Sequence, residues 1–223
     1  MRRLIDGALR FQREIYGARP EMFRQLGEAQ TPFAIFIACS DSRVVPELLT
    51  GREPGDIFVI RNAGNIIPPY GQSLGGSSAS IEYAVGALGV ENVVVCGHSG
   101  CGAMKAILRG DETGRMPAVA NWIKHAAAAK EIVNATLPPT AGEQSRLKAL
   151  VRENVLCQLR NLQTHPSAAA KLATGQLKLY GWVYNIENGS VDTFDAETGH
   201  FVPLTEGSLV DATPKSRFAY SSR

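Results

Sequence analysis

Phe33-Ala34-Ile35-Phe36-Ile37-Ala38-Cys39-Ser40-Asp41-Ser42-Arg43 is a run of apolar residues that turns polar at a cysteine. An apolar stretch of this length, without polar alternation, suits a strand buried on both faces of a parallel sheet. Two similar runs follow. Ile57-Phe58-Val59-Ile60 comes after Pro54-Gly55-Asp56 and ends at Arg61-Asn62-Ala63-Gly64-Asn65, and Val93-Val94-Val95-Cys96 ends at Gly97-His98. Helical spacing fills the intervals, over 77–88 behind Gly75-Gly76 and over 101–108 before Gly110. The alternation predicts an α/β fold with a mostly parallel central β-sheet flanked by helices.

Outward from this centre, Leu4, Ile5, Ala8, Leu9, Phe11 and Ile15 recur near helical spacing, and Met22, Phe23 and Leu26 continue the pattern beyond Pro20. Residues 1–30 therefore read as an N-terminal helical arm, one use of which is to lie across a second subunit. Residues 31–110 hold the core with the reactive side chains. In 111–223, helices are expected over 117–133 and 143–162, then strands over 177–186 and 191–194. Asn188-Gly189 between those strands favours a C-terminal β-hairpin. The last fifteen residues look frayed, and the whole of 1–223 reads as one domain.

Composition excludes several classes of partner. The 223 residues carry a formal net charge of +2, with the basic residues scattered, which gives no footprint for nucleic acid or an anionic membrane. No apolar run approaches the ~20 residues needed to span a bilayer. Asp6, Arg10, Arg13 and Glu14 interrupt any export signal, so a cytoplasmic location is expected. In a reducing compartment the four cysteines are ligands, catalytic groups or buried thiols before they are disulfides.

Position separates those options. Cys39 falls just past the first predicted strand, His98 just past the third, and Cys101 where the next helix should start. In open α/β sheets, reactive groups gather at the carboxyl ends of strands. Three ligand-bearing residues thus converge although 59 positions separate Cys39 from His98. Thiolate and neutral imidazole are typical zinc ligands, and three protein ligands with one open position mark a catalytic site where four would mark a structural one. Asp41 and Arg43 form an Asp–Arg pair beside this group, suited to a charge-assisted hydrogen bond that fixes the carboxylate. Asp41 reads either as an acceptor for reacting water or as a fourth ligand. The amides around Gly102, at a helix start, suit an anion, with a packing glycine as the plainer reading.

Cys39-Ser40-Asp41-Ser42-Arg43 and His98-Ser99-Gly100-Cys101-Gly102 resemble the two signature motifs of the β-class carbonic anhydrases. The similarity extends through Arg61-Asn62-Ala63-Gly64-Asn65, Ile66-Ile67-Pro68-Pro69-Tyr70-Gly71 and Ile81-Glu82-Tyr83-Ala84, in the manner of the plant-like subgroup. The resemblance implies Zn2+ on Cys39, His98 and Cys101, with Asp41 and Arg43 as a dyad beside it. It further implies a substrate pocket lined by Gln30, Phe58 and Tyr83, with bicarbonate near Gly102, and active sites at the interface of a homodimer or dimer-based higher oligomer. The implied reaction is the reversible hydration of carbon dioxide to bicarbonate and a proton.

Ordinary packing competes for Gln30, Phe58 and Tyr83, and a structural turn salt bridge competes for Asp41 and Arg43. A related hydrolase of carbon disulfide or carbonyl sulfide is the enzyme alternative, and a zinc-binding assembly protein without turnover the non-enzyme one. A zinc deaminase is disfavoured, because His-x-Glu beside Pro-Cys-x-x-Cys is missing. Cys96 and Cys157 read as buried thiols, and His125, His165 and His200 stand without a ligand partner nearby in sequence.

Overall fold

The computed structural model describes residues 1–110 and 114–208; the tail expected to fray lies outside the described residues. A six-stranded sheet runs in the order β2-β1-β3-β4-β5-β6, from β1 (Ala34–Cys39), β2 (Ile57–Asn62), β3 (Asn92–His98), β4 (Lys178–Tyr184), β5 (Val191–Asp195) and β6 (His200–Pro203). The first four are parallel, and β5 and β6 join antiparallel. The mostly parallel α/β architecture is therefore as expected. The C-terminal hairpin is in fact the first part of a three-stranded meander, since β6 follows β5.

Every residue of β1 is buried. Alternation along it divides the side chains: Ile35 and Ile37 join Val93 and Val95 on one face, and Phe36 and Ala38 join Val94 and Cys96 on the other. This is the two-residue period of a strand covered on both sides. Helix α8 (Glu143–Leu162) lies across β3 and β4 on the first of these faces. Its approach depends on two glycines. A Cβ on Gly97 would stand 2.9 Å from Val155 and 3.1 Å from Val151, and one on Gly181 would stand 3.1 Å from both Leu159 and Val155. Gly97→Ala should therefore force α8 off the sheet and cost about 1–3 kcal/mol, lowering Tm by roughly 2–4 °C per kcal/mol in a calorimetric or dichroism melt. An unchanged Tm would show that the helix has room to move.

The remaining helices are shorter. They are α3 (Pro46–Thr50), α4 (Gly76–Glu82) running into a π-helical turn at Tyr83–Ala87, α5 (Gly102–Arg109), α6 (Pro117–Ile123), α7 (Ala127–Thr136) and α9 (Pro166–Ala173). Each of α3, α6 and α9 begins with proline, whose fixed φ and missing N–H suit the first helical position. The N-terminal segment forms α1 (Arg2–Arg10), a π-helical continuation at Phe11–Tyr16, and α2 (Pro20–Glu28). Phe23 packs on Tyr16 and Phe11, and Arg19 pairs with Glu53 at 2.8 Å. None of its residues is buried, and Leu4, Ile5 and Leu9 are exposed. No helix among the described residues is long and apolar enough to cross a membrane.

His165 ends the turn after α8 and is almost fully buried. Its Nε2 lies 3.1 Å from the Pro68 carbonyl oxygen, and burial holds its pKa below the ordinary histidine value. The native state therefore takes up this proton later than the unfolded chain does. Stability should be undiminished above about pH 6.5 and fall as pH drops toward the folded-state value. His165→Asn should flatten that limb of a stability–pH curve measured by urea unfolding, and an unchanged limb would place the sensitivity elsewhere.

Candidate metal centre

In the order 2-1-3-4 the chain leaves β1 toward one edge of the sheet and leaves β3 toward the other. A crevice opens at such a switch point, at the carboxyl ends of the two strands. Cys39 is the last residue of β1 and His98 the last of β3, and Cys101 is the N-cap of α5. The two strand residues thus sit on the strand ends, one position earlier than the apolar runs suggest. Gly100, with φ of +65°, makes the turn that brings Cys101 back toward His98.

The Cys39, His98 and Cys101 ligand atoms all lie within 4.8 Å of one another, and all three residues are buried. The two sulfurs are 4.0 Å apart. Zinc–sulfur bonds of about 2.3 Å at a tetrahedral angle place two sulfurs about 3.8 Å apart. His98 Nδ1 is 2.9 Å from the Ser99 carbonyl oxygen, so that nitrogen carries the proton and donates it, and Nε2 keeps its lone pair. Nε2 is buried with no hydrogen-bond partner, a state that folded proteins avoid unless another group takes the lone pair. The donor set, its spacing and this orphaned nitrogen fit a tetrahedral zinc with three protein ligands.

The thiols show the same need for a cation. Their mutual hydrogen bond draws Cys39 down to about 4 and pushes Cys101 up, with burial adding to the rise. The shifts run in opposite directions, so burying both sulfurs as thiolates without a cation is disfavoured. The Met104 and Ala103 amides at the start of α5 face Cys101 and act the other way, too weakly to reverse it. A divalent ion removes the cost of the second deprotonation.

Asp41 lies beside this group. Arg43 donates to it three times, from its backbone N to Oδ1 at 3.0 Å, from Nε to Oδ1 at 2.9 Å and from Nη2 to Oδ2 at 2.7 Å. This clamp holds the Asp41 carboxyl well below the usual carboxylate range. Asp41 Oδ2 stands 3.9 Å from His98 Nε2, yet Asp41 is outside the set of mutually close ligand atoms. Arg61, whose role the sequence did not reveal, donates from Nε to the Cys39 carbonyl at 3.1 Å and from Nη2 to the Asp41 carbonyl at 2.7 Å. It ties both backbone carbonyls of the Cys39–Asp41 turn to β2.

The expected pocket residues are not gathered here within one chain. Phe58 pairs in register with Ile35, and Asn62 with Cys39. Four residues of strand rise separate those levels, about 13 Å. Phe58 packs instead near Tyr83, ring centroids 6.3 Å apart, and Tyr83 is half exposed. Gln30 is exposed and precedes the amino end of β1, whereas Cys39 closes its carboxyl end. Gly102 does lie at the centre, as the first residue of α5, with open space where a Cβ would stand.

Residues 34–191 match the family model described as carbonic anhydrase. A carbonic anhydrase of Pseudomonas aeruginosa is 57% identical over 212 residues, covering 95% of this chain and 96% of that protein. Carbonic anhydrase 1 of Escherichia coli O157:H7 is 53% identical over 214 residues, covering 96% and 97%. The solved structure of the β-carbonic anhydrase CcaA superposes with a TM-score of 0.91 at 44% identity, covering 95% of this chain and 94% of that one. Both cysteine-bearing motifs and the four parallel strands β1 to β4 that carry them fall within residues 34–191, and the chain belongs to the β-class carbonic anhydrase family.

Proposed function

We propose that Cys39, His98 and Cys101 hold the zinc with which this chain interconverts carbon dioxide and bicarbonate, and that Asp41, fixed by Arg43, orients the reacting water. The observation that carries this assignment is the placement of an ionised, clamped carboxylate beside three buried ligand atoms that fit one metal ion. When bound, zinc supplies Lewis acidity, lowering the pKa of water and stabilising developing negative charge. Asp41 Oδ1 is occupied by two Arg43 donors and Oδ2 by one, which leaves an Oδ2 lone pair for a hydrogen bond from the water. That bond turns an oxygen lone pair toward carbon dioxide. Arg43 keeps Asp41 engaged and so favours its role as an acceptor over that of a fourth ligand. Arg61 holds the turn in place, and the Gly102 amide at the head of α5 faces product bicarbonate.

The pocket itself is a shared one in this reading. Phe58 stands too far along the sheet to line the centre of its own chain, with Tyr83 packed beside it, so a second copy supplies both across a homodimer or a dimer-based higher oligomer. The exposed apolar face of the arm over residues 1–30 packs on that second copy, and the described residues from 31 onward form one domain around the sheet. Buried, unpaired cysteines at all four positions suit a reducing cytoplasm.

Metal analysis paired with stopped-flow hydration tests the assignment. About one zinc per chain and rapid hydration of carbon dioxide, well ahead of carbonyl sulfide and carbon disulfide turnover, are expected. Zinc without hydration, or faster turnover of either sulfur compound, would overturn it.

A further inference from the structure

We propose that Trp122 is a positioning residue for the metal centre, acting through the peptide group between Ala63 and Gly64 on the Cys39 sulfur. The Trp122 indole Nε1 donates to the Ala63 carbonyl oxygen at 2.8 Å. The Gly64 N–H, at the other end of the same peptide group, donates to Cys39 Sγ at 3.3 Å. A peptide group is planar and moves as a unit, so holding its oxygen aims its N–H. Hydrogen bonds in such a chain also polarise one another. The inference rests on the reading of Cys39 as a zinc ligand.

The next peptide group is held just as closely. Asn154 Nδ2 donates to the Gly64 carbonyl at 3.0 Å, and Gln158 Nε2 donates to Asn154 Oδ1 at 2.9 Å. Gln158 Oε1 in turn accepts the Ile67 N–H at 2.8 Å. Asn154 and Gln158 are essentially inaccessible to solvent, so no water competes for these bonds. Side chains from α6 and α8 thus fix both planes that meet at Gly64, whose φ of +80° demands glycine. A Cβ there would also stand 2.9 Å from the Ala103 Cβ and 3.0 Å from the Met104 Cε, so the loop is wedged between Cys39 and the first turn of α5. A donor on a ligating thiolate draws charge away from the metal and leaves it more Lewis acidic, the ordinary effect of outer partners on metal ligands.

A purely structural role for Trp122, filling the cluster around Cys101 and Met104, predicts loss of stability without an electronic change at sulfur. The two are separated with cobalt(II) in place of zinc, by the sulfur-to-cobalt charge-transfer band in the near ultraviolet. Trp122→Phe keeps a ring and removes the N–H. It should move the band to longer wavelength and speed zinc release to a chelator about 10-fold. Asn161→Leu is the control. Asn161 Nδ2 donates to the Ile67 carbonyl at 2.9 Å and to Gln158 Oε1 at 3.2 Å, so its loss loosens the same loop and network farther on, keeps the Trp122 bond to the Ala63 carbonyl, and should leave the band in place. If Trp122→Phe fails to fold, Trp122→Leu, which also lacks the N–H to the Ala63 carbonyl, carries the test with the same expected shift. A band that stays put in the variant that folds, or that moves as far in Asn161→Leu, overturns the proposal. Absence of any thiolate band in the parent cobalt protein would instead defeat the ligand reading itself.

Discussion

Asp41→Asn should lower carbon dioxide hydration by roughly 10²–10⁴-fold, the range for loss of a positioned proton acceptor, while zinc stays bound. Zinc should stay because Asp41 is outside the cluster of mutually close ligand atoms. Turnover should fall because the amide keeps the shape and loses the function. Its oxygen can still accept from the Arg43 backbone N and Nε, but its NH₂ then faces Nη2 donor to donor where Oδ2 now accepts at 2.7 Å. The group presented to the reacting water becomes a donor. The pH profile supplies a second check. The Arg43 clamp holds the Asp41 carboxyl well below the usual carboxylate range, so its charge is complete above about pH 4 and is lost only at lower pH. Any inflection of wild-type activity between pH 6 and 9 therefore belongs to another group. Asp41→Asn should lower the height of the stopped-flow profile without moving that inflection. Turnover within threefold of the parent, with zinc retained, would remove Asp41 from the mechanism.

The parts of this molecule that the sequence disclosed are those with a local cause. Three apolar runs marked β1, β2 and β3 because strands buried on both faces need no polar alternation. The ligands were legible because Cys39 and His98 end two of those runs, and their convergence follows from sheet topology. What escaped depends on contacts distant in sequence. Arg61 looks like an ordinary strand-end cation, and nothing local says that its guanidinium spans the carbonyls of Cys39 and Asp41. Asn154, Gln158 and Asn161 recur on one face of α8, a pattern that reads equally as a solvated stripe. Only the close approach of α8 at Gly97 and Gly181 turns it inward against residues 64–67. The short helices α3 and α9 were missed because a proline start is a weak signal in so few residues, and β6 because four residues hold too little alternation. Phe58 and Tyr83 illustrate a different limit. Their residue types fit a pocket, but strand register within one chain separates Phe58 from it, and Tyr83 packs beside Phe58.

Cys101→Ala should remove zinc and activity together, with hydration reduced about a thousandfold or more because the activated water is lost. The fold should survive. Cys101 is a small buried residue before α5, and its backbone carbonyl, which accepts the Lys105 N–H at 3.0 Å, is untouched. Zinc bound only to the native state stabilises it by mass action. A chelator should therefore lower the Tm of the parent by several degrees and leave that of Cys101→Ala unmoved. Elemental analysis, stopped-flow hydration and paired melts with and without chelator read all three effects on the same preparations. If Cys101→Ala kept near-stoichiometric zinc and a chelator-sensitive Tm, the three-ligand centre at the β1/β3 switch point would have to be redrawn with another residue in place of Cys101.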